Sequence, residues 1–260
     1  MLEITTPILV YVTPPASGSY NMAFDDWMLD EAVTKQVSML RVYRWKTPTL
    51  SLGYFQKYAD IPFPIDSVVR RRSGGGAILH HHEITYSFAT PMKDNKKDAN
   101  KDLYLVLRNA VNATLSTFGI NLYAASNLKE PGKPEPFLCF ERHTDLDLCY
   151  NYQRHPHNPK SPEHSYKIVG SAQFRKGNTI LQHGSILLSV TKLTTHLPGL
   201  KNFQPLIKIE SEPFAKKLVK FIFKEGNIEI TKNNIQFPMD YPTHLPTKQQ
   251  HESEEWIKRR

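Results

Sequence analysis

Three consecutive glycines stand between two short apolar runs. Val68-Val69 leads into Arg70-Arg71-Arg72-Ser73, then Gly74-Gly75-Gly76, then Ala77-Ile78-Leu79-His80. Glycine reaches positive φ without strain and lets another group approach bare backbone. The pattern predicts strand, glycine loop, strand. Successive exposed N–H groups in such a loop form a concavity suited to an anion or a carbonyl oxygen. A run this short equally suits a plain hairpin turn, so its meaning depends on the rest of the chain.

Elsewhere the pattern alternates irregularly between helix and strand. Ser19 or Asn21 is placed to cap a helix through about Val33. Leu40–Trp45 and Thr49–Leu52 alternate as strands around Pro48, and Glu83–Ala89 reads as another strand. Pro91–Asn100 is a polar loop before a helix over about Leu103–Phe118. That helix packs Leu103, Leu107, Ala110 and Thr114 on one face and ends at Gly119. Ala125–Pro136 is a connector, and Thr144–Tyr152 alternates with Leu146, Leu148 and Tyr150 on one side. Arg154–His164 is a polar insertion, Lys167–Gly170 and Thr179–Leu188 are strands, and Glu212–Glu225 is a helix. This is an α+β pattern, a mixed β-sheet with flanking helices.

With 260 residues, the chain fits one large domain or one domain with a small appendage. Hydrophobic residues at 40% suffice for a folded core. No apolar run has the length of a membrane span, and Met1-Leu2-Glu3-Ile4-Thr5 lacks a secretory pattern. Two cysteines without disulfide spacing point to a reducing cytoplasm. The formal charge of +8 suits an acidic partner. Its cations are scattered and accompany no nucleic-acid motif, so neither nucleic acid nor membrane is the expected partner.

A second motif lies downstream. Lys167-Ile168-Val169-Gly170-Ser171-Ala172-Gln173 is followed by Leu181-Gln182-His183-Gly184-Ser185-Ile186-Leu187-Leu188. With the glycine loop, this pair closely resembles the biotin/lipoate protein ligase superfamily, of the lipoate-protein ligase and cysteine-dependent octanoyl/lipoyl transferase type. Gly18–Asp25 resembles that family's first helix, and Leu40–Trp45 through Thr49–Gln56 its first hairpin. The resemblance runs in order from Pro14 to Val190. It implies a catalytic domain over residues 1–230; the polar stretch after Gly226 reads by composition as a tail, over 231–260, that is partly disordered at its end.

The resemblance also implies the chemistry: attachment of an octanoyl or lipoyl group to a lysine of a lipoyl domain. The acceptors would be lipoyl domains of 2-oxoacid dehydrogenases or the glycine cleavage H protein. An amine does not attack a free carboxylate without activation. One branch of the family spends ATP with Mg to make an acyl-adenylate. The other takes octanoyl from acyl carrier protein through an enzyme cysteine and requires no cofactor.

Cys139, within Pro136-Phe137-Leu138-Cys139-Phe140-Glu141, occupies the family's place for that nucleophile; a small buried hydrophobe is the plain alternative. Cys149, among apolar neighbours, reads as structural. Lys167 matches the lysine that contacts the acyl carbonyl and is placed to hold an oxyanion. Arg71, Arg72, Ser73, Gly74, Gly75, Gly76 and Ala77 match the acyl-pocket rim. Gly170, Ser171 and Ala172 keep backbone close to the ligand. His80 follows the loop, and His183, Gly184 and Ser185 match the far side of the pocket, where a histidine more often orders structure than moves protons. Asn21 and Asp25 read as capping and packing residues. His81 and His82 replace the family's usual aspartate, but strand alternation separates the three histidines and no metal motif results.

Three features favour the thioester branch: Cys139 in order, the Glu83-Ile84-Thr85-Tyr86-Ser87 version of the strand, and a chain too short for the full accessory domain of many ligases. Gly76, where transferases often carry arginine, opposes it. A non-catalytic acyl- or lipoyl-domain-binding member is a third reading, suggested by the Tyr150–Ser165 insertion ahead of Lys167.

Overall fold

The computed structural model describes residues 4, 6–92, 98–124, 135–153, 163–228, 231 and 234–260. Parts of the expected loop 91–100, connector 125–136 and insertion 154–164 lie outside the described residues, as does most of the 1–5 segment.

In chain order, β1 (Ile8–Val12) leads into α1 (Gly18–Lys35), β2 (Ser38–Tyr43) and β3 (Thr49–Leu52). β4 (Val68–Arg70) and β5 (Ile78–His80) flank the glycine loop, and β6 (Glu83–Pro91) follows. Next come α2 (Ala99–Ser116), β7 (Tyr123–Ala124), β8 (Leu148–Gln153), β9 (Glu163–Lys176) and β10 (Thr179–Leu187). The remainder holds α3 (Leu200–Phe203), α4 (Ser211–Glu225), β11 (Ile235–Gln236), α5 (Lys248–Glu252) and α6 (Glu254–Ile257).

Eight strands form one sheet in the order β11-β1-β2-β6-β10-β9-β8-β7. β1 runs parallel to β11 and β2, and the other pairs are antiparallel. In a second, small sheet, β3 lies between parallel β4 and antiparallel β5. The fold is the expected α+β arrangement.

Strand alternation feeds two cores. Leu40, Phe88 and Ile180 face a core shared with Leu103 and Leu107 of α2 and Leu218 and Ile222 of α4. Met39, Ala89 and Leu181 face the opposite core, against Phe24, Met28 and Ala32 of α1. With both faces covered, the polar residues of β2, β6 and β10, among them Arg41, Ser87 and Gln182, are fully buried and hydrogen-bonded inside the protein. Each large aliphatic side chain so buried contributes about 1.5–3 kcal/mol.

Several local expectations change. Ser17, rather than Ser19 or Asn21, caps α1, accepting from Tyr20 N. Ser19 and Asn21 sit inside the helix, committed to Glu252 and to Arg41 and Arg44. β2 and β3 do not pair as a hairpin. Arg44 O accepts from Ala16 N and Lys46 N donates to Ala16 O instead, drawing the chain out of the large sheet before Pro48. β8 begins at Leu148, because Thr144–Asp147 closes a turn in which Asp147 Oδ2 accepts from Thr144 N and Oγ1. α2 begins at Ala99, ahead of the expected Leu103, while Gly119 ends its last turn at φ +80° as expected.

The expected polar tail is structured across the described residues 234–260. β11 extends the large sheet beside β1. His251 of α5 is buried against Asp26, and Trp256 Nε1 donates to Arg70 O. Among the described residues, no helix is long and apolar enough to cross a membrane.

Candidate active site

The glycine loop ends where the chain returns alongside it. Ala77 N donates to Phe137 O at 3.0 Å, and Cys139 N donates to Ala77 O at 2.7 Å. This clamp sets Cys139 at the start of a single 3-10 turn, Cys139–Glu141. Only glycine fits at 76, because a Cβ there would lie 2.9 Å from Cys139 N and 3.1 Å from its Cα. Arg71, buried beneath the loop, donates to the carbonyls of Gly74 and Gly76 at 2.8 and 2.7 Å. Burial pulls Arg71 down to about 10, against the attraction of Cys139.

Lys167 enters from β9 on the other side of the thiol. Its Nζ lies 3.6 Å from Cys139 Sγ. It donates to Cys139 O at 3.1 Å and Arg142 O at 3.2 Å, and pairs with Asp147 Oδ2 at 2.9 Å. An ammonium has three N–H groups, and three oxygens take them. The Cys139 sulfur is a fourth, longer acceptor of the same ammonium, and an ammonium beside a sulfur favours negative charge on it. Gly170 makes the approach possible, because a Cβ there would meet Lys167 Cε at 2.8 Å.

Between the two sheets, Cys139 opens onto a cavity enclosing about 440 Å³, counting space open to solvent. Met22, Tyr43, Trp45 and Ile78 give it apolar walls. Arg71, Gly74, Gly75, His80, Ser171, Ala172, His183, Gly184 and Ser185 also line it. Such a lining suits an acyl chain.

The other expected site residues stand behind this surface. Ser73, Gly76, Ala77, Gly170 and Lys167 shape or charge the site without lining the cavity. Arg72, expected on the rim, turns away. Its Nε binds Asp26 Oδ1 at 2.8 Å, because a partly buried guanidinium takes the nearest buried carboxylate.

Two polar relays hold the cavity's histidines. His183 Nδ1 lies 2.9 Å from Asp25 Oδ2, and its Nε2 lies 2.6 Å from Ser73 Oγ. Arg71 Nε donates to the same hydroxyl at 3.1 Å. His183 thus ties the glycine loop to α1. Asp25, read from sequence as a packing residue, orients this imidazole. At the cavity floor, His80 stacks on Trp45 with centroids 3.8 Å apart. Its Nδ1 meets Glu83 Oε1 at 2.7 Å, and its Nε2 meets Ser51 Oγ at 2.8 Å.

Burial holds His80 below the ordinary imidazole range despite Glu83. Burial alone would raise Glu83, but the attraction of His80 and hydrogen bonds from His80, Thr85 and Ser185 bring it below the ordinary carboxylate range. His80 then donates from Nδ1 and accepts at Nε2 from Ser51. His81 and His82 stack on each other, with centroids 3.6 Å apart. Among the described residues, no group of three His, Cys, Asp or Glu is arranged to hold a metal. Cys149 is buried on β8, and burial raises its thiol, consistent with a structural residue.

Asp147, Glu83 and Asp25 are the residues that sequence reasoning missed. Asp25 left one signal, a carboxylate on the apolar face of a helix well past its N-terminus. Asp147 and Glu83 acquire their roles only through folding.

The octanoyltransferase LipM of Carboxydothermus hydrogenoformans is 33% identical over 182 residues, covering 67% of this chain and 62% of that relative. The octanoyltransferase LipM of Halalkalibacterium halodurans is 26% identical over 272 residues, covering 92% and 94%. A lipoate-protein ligase A structure bound with ATP superposes with a TM-score of 0.64 at 16% identity, covering 98% of this chain and 99% of that one. That likeness concerns the fold. The family described as the lipoyl protein ligase A/B catalytic domain matches residues 17–231. The glycine loop, the Lys167 strand and the His183 strand all fall within that match: the chain belongs to the lipoyl protein ligase A/B catalytic domain family.

Proposed function

We propose that the protein is an octanoyltransferase that carries its acyl group on Cys139. The observation that carries this reading is the Cys139 thiol at the cavity, 3.6 Å from a buried ammonium. Two relatives named octanoyltransferase LipM support it.

The Cys139 thiolate attacks the carbonyl carbon of an octanoyl thioester, commonly octanoyl-acyl carrier protein. The tetrahedral intermediate collapses by expelling the carrier thiolate, which takes up a proton from water. The ε-amine of an acceptor lysine then attacks the Cys139 thioester and loses its proton to water. An amide forms as Cys139 leaves as thiolate. The second step is downhill because a thioester is more reactive than an amide.

Held by three oxygens and reaching the Cys139 sulfur as well, Lys167 acts on the sulfur's charge. The oxyanion falls instead to the glycine loop. Arg71 holds the carbonyls of Gly74 and Gly76, and among the described residues the N–H groups of Gly75 and Gly76 have no acceptor. Backbone donors of this kind supply oxyanion stabilisation.

Gly76, the feature that resembled a ligase, has its reason in the 2.9 Å approach to Cys139. Thioester transfer requires no cofactor; ATP and Mg belong to the ligase alternative. Lipoyl domains are the acceptor class, residues 1–230 the catalytic unit and the cytoplasm the location that fit this reading.

The test incubates the protein with octanoyl-acyl carrier protein and an unmodified lipoyl domain, without nucleotide. Octanoyl-lipoyl domain accumulates if the reading holds. Product formed only from free acid with Mg-ATP would assign the chain to the ligases.

A further inference from the structure

Phe55 is 67% exposed although its neighbours on the chain are tied down. Tyr54 N donates to Ser73 O, and Gln56 bridges Gly53 and Phe137. The Phe55 ring lies 3.7 Å from where a Cβ of Gly74 would stand, and Gly74 lines the cavity. A rigidly mounted aromatic ring is therefore displayed at the rim of the acyl site.

Cations surround it. The Arg260 guanidinium lies 5.3 Å from the Phe55 centroid, and Arg259 lies 4.3 Å from that of Tyr54. Lys258 pairs with Glu254, and Arg72 with Asp26. Among the described residues, Arg259, Arg260 and nearby Lys57 have no carboxylate partner. Glu255 and Asp60 are the remaining exposed acids on these segments. Stacking on ring faces leaves the guanidinium N–H groups available to outside oxygens. Exposed aromatic and arginine residues side by side are the composition of binding hot spots.

We propose that Phe55, Arg259 and Arg260 form the docking surface for the acyl donor, an acidic carrier protein holding its thioester on a long flexible arm. The inference rests on the transferase reading. Charge complementarity favours an acidic partner, as does the chain's net +8. The patch flanks the cavity across Gly74 rather than covering it. An acceptor lysine is short, so its domain must sit over Cys139 itself, whereas a long arm reaches the thiol from a carrier seated to one side.

The test compares two donors, octanoyl-acyl carrier protein and a small octanoyl thioester lacking the protein, in R259E/R260E and Phe55→Ala. Charge reversal raises KM for the protein-borne donor about tenfold and removes most of its salt dependence. Turnover of the small thioester stays within about twofold of the unaltered protein, which also reports an intact fold. Phe55→Ala raises KM for the protein-borne donor more than for the small thioester.

Unchanged KM for the carrier overturns the proposal, and so does equal loss with both donors. A raised KM for the lipoyl acceptor with an unchanged donor KM overturns it too and assigns the surface to the acceptor. If neither thioester acylates the unaltered protein, the transferase reading itself fails, and this inference with it.

Discussion

The ion pair between Lys167 and Asp147, Nζ to Oδ2 at 2.9 Å with both side chains 3% exposed, holds its ammonium 3.6 Å from the Cys139 sulfur. Asp147 thereby fixes both the position of the cation and how much of its charge reaches the thiol. Removing one partner of a buried pair leaves the other charge uncompensated, at a cost of about 3–5 kcal/mol. Asp147→Ala is accordingly destabilised by that amount in urea unfolding, with acyl transfer reduced in parallel. A loss below about 1 kcal/mol would mean that the ammonium is adequately held by the two backbone carbonyls alone.

Gly76→Ala tests the clamp between the glycine loop and the nucleophile. The added methyl meets Cys139 N at 2.9 Å and Cα at 3.1 Å, so backbone must move. Displacing a reacting atom by about 1 Å costs on the order of 100-fold in rate. The variant should fold, retain its near-ultraviolet circular dichroism and lose acyl transfer by about that factor. Full activity in Gly76→Ala would show that Cys139 does not depend on this register.

His183 connects α1 to the glycine loop through Asp25 on one ring nitrogen and Ser73 on the other. Losing a hydrogen bond of this kind costs about 1–1.5 kcal/mol, close to a factor of ten. His183→Ala raises KM for an octanoyl thioester about tenfold, with little change in the rate of Cys139 alkylation by a small reagent. A large fall in alkylation instead would place His183 in activation of the thiol.

Acid should destabilise the protein in two stages. His80 has a folded value below its unfolded one, near 6.5, so below that pH the unfolded chain binds a proton that the native state does not. Its contribution is present above about pH 6.5 and is lost as pH falls. Glu83 and Asp26 are also depressed, Asp26 by hydrogen bonds from His251 and Arg72 that outweigh burial. Their stabilisation is present above the unfolded carboxylate range and disappears as pH drops through it. Thermal melts of the unaltered protein therefore decline from about pH 6.5 downward, and His80→Gln flattens the upper part of that decline. An identical pH dependence in this variant would contradict a His80 held below the ordinary imidazole range.

What was legible in the sequence is what sits close together in the chain. The glycine loop, the Lys167 motif and the Cys139 segment each carry their chemistry within a few residues, and folding brings all three to one cavity. The packed face of α2 was readable for the same reason, since Leu103, Leu107, Ala110 and Thr114 repeat at helical spacing and are all buried. Relationships over long separations were not readable. Asp25 meets His183 across 158 positions, and Arg70 meets Ile257 across 187.

Arg72 shows the limit most clearly. Its neighbour Arg71 turns under the glycine loop while Arg72 turns outward to Asp26, and nothing local distinguishes the two. The C-terminal stretch reads as a polar tail because its anchors, His251 and Trp256, are isolated among charged residues. Their partners Asp26 and Arg70 lie at the other end of the chain.

The central claim is that Cys139 carries the acyl group, and the intact mass of the protein after mixing with octanoyl-acyl carrier protein, without nucleotide, tests it most directly. The account predicts a single octanoyl adduct that hydroxylamine removes, that maps to Cys139 and that is absent from Cys139→Ser. An unmodified protein that still octanoylates a lipoyl domain, or a Cys139→Ser variant with undiminished turnover, would contradict it.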